Sequence, residues 1–154
     1  MAVPLDPSYA PPVLLRIAHV ALAVSDLEAA VARYTGTWGL EVVHREVVPD
    51  QGVEEVLLRP KGTEESHIQL LGALGPDTTV GRFLERRGEG LHHIAYEVED
   101  LDEALRTLSA AGVDLIDREP RRGSAGTRVA FVHPKGNRGV LTELVEVQPA
   151  AGAG

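Results

Sequence analysis

Two stretches of this chain read alike: residues 19–30 are HVALAVSDLEAA, and residues 93–104 are HIAYEVEDLDEA. Histidine, alanine, valine, aspartate and leucine recur in register at an offset of 74 residues. In each stretch a strand-like apolar run gives way to apolar residues at i, i+3, i+4 and i+7, the pattern of an amphipathic helix. A repeat of this kind predicts that the fold is built from two copies of one unit.

The helix in each copy has its own start signal. Ser25 with Glu28, and Asp100 with Glu103, each place a capping residue three positions before an acidic one. A further helix, predicted over residues 77–87, joins the two copies. The offset of 74 pairs the apolar residues of the two repeat helices, Leu27, Ala30, Val31 and Tyr34 with Leu101, Ala104, Leu105 and Leu108.

Three short strands are predicted after each repeat helix: Leu40–Val48, Val53–Arg59 and His67–Gly72, then Asp114–Asp117, Arg128–His133 and Val140–Val147. We therefore predict an α+β fold in which two pseudo-symmetric βαβββ modules, residues 14–72 and 90–147, form a cupped, barrel-like mixed sheet. The modules together form a single domain, residues 14–147, with tails at 1–13 and 148–154. Because a module of about 60 residues is small for a core of its own, we expect the two to share one.

Composition excludes several classes of function. The chain has 154 residues and no cysteine, which removes disulfides, thiolate nucleophiles and cysteine-ligated metal sites. Its net charge of −8 and its 4% aromatic content argue against nucleic-acid binding. The opening MAVPLDPSYAPP is not typical of a signal peptide, and no stretch has the apolar length of a membrane span. We expect a cytoplasmic protein that binds neither nucleic acid nor membrane.

Four polar residues inside apolar strands also obey the offset. His19 matches His93, and Gln69 matches Glu143. Two-fold pseudo-symmetry would bring these four to a common centre, and their nitrogen and oxygen donors suit a divalent ion. Four protein ligands on an octahedral ion would leave two positions for two oxygens of a substrate. The remaining histidines, His44, His67, His92 and His133, are interpreted as packed or surface residues.

Segments spread over residues 19–147 carry a family resemblance: HVALAV, QGVEEVLL, HIQLL, GLHHIAYEVEDLDEA, GTRVAFVHPKGNRGV and LTELVEV. They resemble the vicinal oxygen chelate superfamily and, within it, the methylmalonyl-CoA epimerases. The resemblance implies one divalent ion held by His19, Gln69, His93 and Glu143. Co²⁺ is our first expectation for this ion, with Mn²⁺, Ni²⁺, Zn²⁺ or Mg²⁺ as alternatives. The resemblance also implies a CoA thioester substrate and a homodimer.

The same resemblance implies a catalytic pair, Glu55 and Glu143. Glu55 follows another acid, Glu54, and strand alternation indicates that only one of the two faces a cleft. Periodicity leaves the choice open, and the resemblance favours Glu55. The offset places an apolar residue, Val129, at the position that matches Glu55, so this acid breaks the pseudo-symmetry.

The implied activity is metal-dependent epimerisation of (2R)- and (2S)-methylmalonyl-CoA, by proton abstraction and return through a metal-stabilised enolate. Three alternatives share the fold: a glyoxalase I-type lactoylglutathione lyase, a ring-cleaving dioxygenase that uses iron, and a metal-free module that sequesters an antibiotic or other ligand. Residues 118–138 carry six basic side chains and one acidic side chain, and this stretch could receive the nucleotide end of CoA.

Overall fold

The computed structural model describes residues 7–148, which form one eight-stranded sheet and three α-helices. The predicted tail residues 1–6 and 149–154 lie outside this described part. Within it, no helix is long and apolar enough to cross a membrane. The first half contains β1 (Leu14–Ala23), α1 (Leu27–Gly36), β2 (Leu40–Val48), β3 (Val53–Pro60) and β4 (His67–Ala73). After α2 (Thr79–Arg87), the second half contains β5 (Gly90–Val98), α3 (Leu101–Ala110), β6 (Arg121–Arg122), β7 (Arg128–Val132) and β8 (Thr142–Glu146).

The strand order repeats from one half to the other. Across the sheet the strands run β2-β3-β4-β1-β5-β8-β7-β6, so β1 and β5 lie side by side at the centre. These two pair antiparallel, whereas β1 is parallel to β4 and β5 is parallel to β8. The predicted fold class is confirmed: two βαβββ halves form one mixed half-barrel sheet.

The seam between β1 and β5 contains the pseudo-two-fold axis. In this ladder Val20 is paired with Ile94, and these two residues are themselves related by the offset of 74. The axis therefore passes through this pair, and everything that one half places beside it is repeated by the other. His19 lies opposite Ala95, and His93 lies opposite Ala21.

The hydrophobic core is divided, which corrects the expectation of one shared core. The fully buried Leu101 of α3 packs in a cluster drawn only from the second half. A second cluster, around Leu58 and Leu70, lies under α1, and a third joins Val80 of α2 to β1, β3 and β4. The repeat helices α1 and α3 thus cover the outer face of the strands of their own halves, whereas α2 packs against Val53 and Leu71 on the concave face, beside the polar residues.

The caps of the repeat helices correct another expectation. Asp26, and not Ser25, caps α1: its Oδ1 accepts a hydrogen bond from the amide of Ala29 at 3.0 Å. Asp100 caps α3 in the same way, with the amide of Glu103 at 2.9 Å. Asp26 and Asp100 differ by 74 residues, so the internal repeat holds at the caps as well.

The predicted strand Asp114–Asp117 is wrong. The amides of Ile116 and Asp117 both donate to the carbonyl of Phe131, an arrangement that a regular ladder does not allow. The segment keeps only a single bridge, between Leu115 and Val132. The strand that follows α3 is the two-residue β6 instead, and the last predicted strand begins at Thr142 rather than at Val140.

The two caps give a stability prediction. Asp26→Ala and Asp100→Ala should each lower the free energy of unfolding by about 1 kcal/mol, because each leaves a first-turn amide without its acceptor. Ser25→Ala is the matched control and should have almost no effect. Urea unfolding followed by circular dichroism measures all three variants. A loss at Ser25 equal to the loss at Asp26 would contradict the cap assignment.

Candidate active site

The four metal-competent residues predicted from the offset lie on the four central strands. Gln69 on β4 is the neighbour of Ala21, and Glu143 on β8 is the neighbour of Ala95. Both alanines are fully buried. Because each alanine faces a histidine across the seam, its small side chain leaves room for the imidazole rings of His19 and His93.

Three of these side chains are in mutual contact. Nε2 of His19 lies 3.3 Å from Nε2 of His93, and Oε2 of Glu143 lies 3.3 Å and 2.8 Å from these two nitrogens respectively. An octahedral ion with bonds of about 2.0–2.1 Å holds neighbouring donor atoms about 2.9 Å apart. The triangle of two nitrogens and one carboxylate oxygen therefore fits one face of a coordination sphere, and the three residues form a group that could hold a metal.

The environment of Glu143 favours the carboxylate form. Burial by itself would raise the pKa of this group, but its contacts with His19 and His93 outweigh burial and hold the pKa well below its usual range. The resting site thus contains one anionic oxygen donor beside two imidazoles, a donor set that matches a borderline or hard divalent cation.

Gln69, the fourth predicted ligand, contacts Glu55. Its Nε2 donates a hydrogen bond to Oε2 of Glu55 at 3.0 Å, which directs the amide nitrogen to the carboxylate and frees the amide oxygen for another partner. Glu55 is 2% exposed. Burial, with a contribution from the nearby charge of Glu143, raises the pKa of Glu55.

The structure separates the two adjacent acids on β3. Glu55 points into the concave face, whereas Glu54 accepts a hydrogen bond from Nε of Arg45 at 2.9 Å on the other side of the sheet. Arg45 also contacts Glu28 of α1. Glu54 is therefore part of a surface ion-pair group, and Glu55 is the acid that faces the histidine pair.

Residues 18–131 match the family model described as "Glyoxalase/Bleomycin resistance protein/Dioxygenase superfamily". The chain belongs to this superfamily.

Named relatives of this superfamily member include epimerases. It is 42% identical over 134 residues to an ethylmalonyl-CoA/methylmalonyl-CoA epimerase of Cereibacter sphaeroides, a match that covers 86% of this chain and 98% of the relative. A crystal structure of methylmalonyl-CoA epimerase from Mycobacterium tuberculosis superposes with a TM-score of 0.85 at 39% identity, over 94% and 96% of the two chains. A methylmalonyl-CoA epimerase solved in complex with methylmalonyl-CoA and NH₄⁺ has a TM-score of 0.83 at 44% identity, over 90% and 97%.

A contact between the two ends of the sheet joins β2 to the turn after β6. The sequence analysis did not predict this contact. Oε2 of Glu46, which is paired with Glu55 across β2 and β3, accepts hydrogen bonds from Oγ of Ser124 at 3.2 Å and from the amide of Ala125 at 2.7 Å. Ala125 has a φ of 53°, a conformation that non-glycine residues rarely adopt. The turn is thus held in a strained form against β2, beside Glu55. Ser124 stands in the unremarkable run GSAGT, which offers no signal in the sequence.

His92 lies beside the site as well. Together with His93 it borders a cavity of about 100 Å³ whose other lining residues include Phe131, Ile116, Leu141 and Arg121. Burial, and then the neighbouring His93, lower the pKa of His92 to about 4. The position of His92 against the ring of Phe83 agrees with its interpretation as a packed or surface histidine.

The basic stretch 118–138 is partly neutralised. Arg128 forms ion pairs with Asp102 at 2.8 Å and with Glu146 at 3.0 Å, and Arg121 lies 3.5 Å from Asp117. Among residues 7–148, no acidic partner is found for four others, Arg118, Arg122, Lys135 and Arg138. These four are the cations left in this stretch to meet an anionic ligand.

Proposed function

We propose that this protein is a metal-dependent epimerase that interconverts (2R)- and (2S)-methylmalonyl-CoA. The observation that carries the proposal is a pair of buried carboxylates, Glu55 and Glu143, placed in one site with two imidazoles. Inversion at a carbon that carries an acidic proton needs a proton carrier on each face, and two carboxylates provide them. The names of the relatives, one of them solved with methylmalonyl-CoA, support the same substrate.

The ion would be held by His19, His93 and Glu143, with the amide oxygen of Gln69 as a fourth ligand. When bound, a divalent ion supplies positive charge that stabilises the negative charge developing on the substrate oxygens. We propose Co²⁺ as the native ion, with Mn²⁺, Ni²⁺, Zn²⁺ and Mg²⁺ as alternatives. The donor set of two nitrogens and two oxygens supports this group of ions over softer ones.

Glu55 acts as the base on one face of the substrate. Its carboxylate takes the proton from the carbon between the thioester and the carboxylate, and the electron pair of the broken C–H bond passes into the enolate. The raised pKa of Glu55 makes it a stronger base for this weakly acidic proton than an exposed glutamate would be.

Glu143 serves the opposite face. Both histidines contact its Oε2, so Oε1 is the atom that carries the proton. Glu143 in its acid form gives a proton to the second face of the planar enolate, which completes inversion. In the reverse direction the two glutamates exchange roles, as microscopic reversibility requires.

The phosphates of the substrate need cations in a protein whose net charge is −8. Arg121 lines the cavity beside His93. In the same part of the chain stand the four basic residues for which residues 7–148 offer no acidic partner, Arg118, Arg122, Lys135 and Arg138. We propose that members of this group receive the nucleotide end of CoA.

Deuterium exchange tests the function. In D₂O the protein should introduce deuterium at the α-carbon of methylmalonyl-CoA, while lactoylglutathione formation from methylglyoxal and glutathione should be absent. Ethylmalonyl-CoA belongs in the same assay, because one relative carries that substrate in its name. Lactoylglutathione formation without exchange would replace the proposal with a glyoxalase I-type activity. A protein that binds no metal and exchanges nothing would favour a ligand-binding module.

The metal assignment gives the first prediction for this site. His93→Ala removes one ligand from the triangle, so the purified variant should lose most of its bound metal and its exchange activity. Metal content is measured by mass spectrometry after dialysis, with His133→Ala as the control, because His133 contacts the amide of Lys135 outside the site. Full occupancy in the His93 variant would refute the ligand assignment.

The assignment of Glu55 and Glu143 as base and acid gives the second prediction. Glu55→Gln keeps the shape of the side chain but cannot carry the proton, so epimerisation should fall by about 10²-fold or more with metal content unchanged. Exchange from one epimer with solvent deuterium should survive, because Glu143 still works on its own face. Glu54→Gln is the matched control one residue away and should retain activity. Two fully active variants would end the two-carboxylate mechanism for this protein.

The third prediction concerns the oligomeric state. We propose a homodimer, supported by large apolar side chains on the first half of β1 that are about half exposed: Leu14 (48%), Leu15 (48%) and Ile17 (54%). Light scattering at working concentration should report twice the mass of the 16.5 kDa chain. A monomer there would overturn this proposal.

A further inference from the structure

A β-bulge in the central seam places two adjacent histidines on one side of the sheet. On β1 and β5, Ala21 is paired with His93 but the next residue, Leu22, is paired with Leu91. His92 is therefore an extra residue on β5, where two residues oppose one. Neighbouring side chains on a regular strand point to opposite faces, and the bulge removes this alternation.

The two rings consequently meet nitrogen to nitrogen. Nδ1 of His92 lies 2.8 Å from Nδ1 of His93, and the ring centroids are 5.1 Å apart at an interplanar angle of 75°. Such a contact is a hydrogen bond only when one nitrogen carries a proton and the other offers a lone pair. The tautomers of the two rings are therefore linked.

The position of Nε2 decides the direction of this hydrogen bond. Nε2 of His93 faces Glu143 and His19, the other members of the metal-competent triangle. A ligand nitrogen must present its lone pair, so His93 must carry its proton on Nδ1 and donate it to Nδ1 of His92. His92 then has its own proton on Nε2.

Packing fixes both rings in this arrangement. The ring of His92 meets Phe83 of α2 edge-on, at 4.9 Å between centroids, and the ring of His93 meets Phe131 of β7 at 5.3 Å. Phe83 is itself covered by the guanidinium of Arg87, 6.0 Å above its ring. Helix α2, which lies outside the repeat, thus holds the acceptor in place.

We propose that His92 is a positioning residue whose Nδ1 accepts the Nδ1 proton of His93 and holds that ring in the tautomer and orientation that bind a divalent ion. The inference rests on the proposed metal binding at His93. It differs from that proposal because His92 itself touches neither the ion nor the reacting atoms.

Two substitutions at His92 separate positioning from packing. His92→Asn places its side-chain oxygen near the position of Nδ1 and keeps the acceptor, whereas His92→Leu keeps an apolar contact with Phe83 and loses the acceptor. We expect the Leu variant to bind Zn²⁺ about 10- to 100-fold more weakly, as is typical when the partner of a ligating histidine is removed. The Asn variant should retain most of the wild-type affinity. Competition with a chromogenic chelator on metal-free protein measures both, with His133→Asn as control.

Equal affinities in the wild type, the Leu variant and the Asn variant would show that His92 only packs, and would leave the metal proposal intact. A wild-type chain that binds no Zn²⁺, Co²⁺ or Mn²⁺ would instead overturn the metal proposal and this inference with it. The ¹⁵N chemical shifts of the His92 ring nitrogens, measured on the labelled, Zn²⁺-loaded wild type, show which nitrogen carries the proton without any variant. The inference requires the proton of His92 on Nε2, and a proton on its Nδ1 would overturn it even if the Leu variant failed to fold.

Discussion

The pairing of Val20 with Ile94 is the constraint on which the rest of the structure depends. Because these two residues are equivalent in the internal repeat, their pairing places the pseudo-two-fold axis inside the sheet rather than between two separate domains. The residues one position before them, His19 and His93, are then forced to opposite sides of the axis on the same concave face. Hydrogen bonding in the ladder thus fixes the separation of the two imidazoles, before any metal contributes energy.

Function arises where the two halves differ. Gln69 and Glu143 occupy equivalent positions, yet one is neutral and the other is an anion, so a divalent ion at this site would keep a net positive charge as an electrophile. Leu57 and Phe131 are also equivalent, and the ring of Phe131 packs edge-on against the ring of His93. Glu55 has the apolar Val129 as its counterpart, so this buried carboxylate is present on one side of the axis only. The internal repeat determines where the site residues lie, and the residues that differ between the two halves determine the chemistry of the site.

Much of this could be predicted from the sequence, because a repeat in register carries three-dimensional information. The offset of 74 places His19, Gln69, His93 and Glu143 on equivalent strands without reference to any structure. It could not predict the bulge at His92, since a bulge depends on the partner strand as much as on its own residues. The prediction also failed at Asp114–Asp117, where β-rich residues in the place of a repeat strand suggest a strand but two amides share the carbonyl of Phe131. The modules 14–72 and 90–147 stay a prediction as domain units, as do the ligand and catalytic roles.

The surroundings of the two carboxylates in the site shift their pKa values in opposite directions. Glu143 stands between two imidazoles, and their hydrogen bonds lower its pKa although it is buried. Among residues 7–148 no ion pair is found for Glu55, and burial together with the negative charge of Glu143 raises its pKa. Titratable groups whose pKa values are driven apart are the usual mark of an acid and base pair. The anionic charge of Glu143 makes a second negative charge at Glu55 more costly, and this adds to the larger effect of burial on the pKa of Glu55. The histidine pair therefore does more than offer ligands: by favouring the anion of Glu143 it also contributes to the raised pKa of Glu55 on the first half of the sheet.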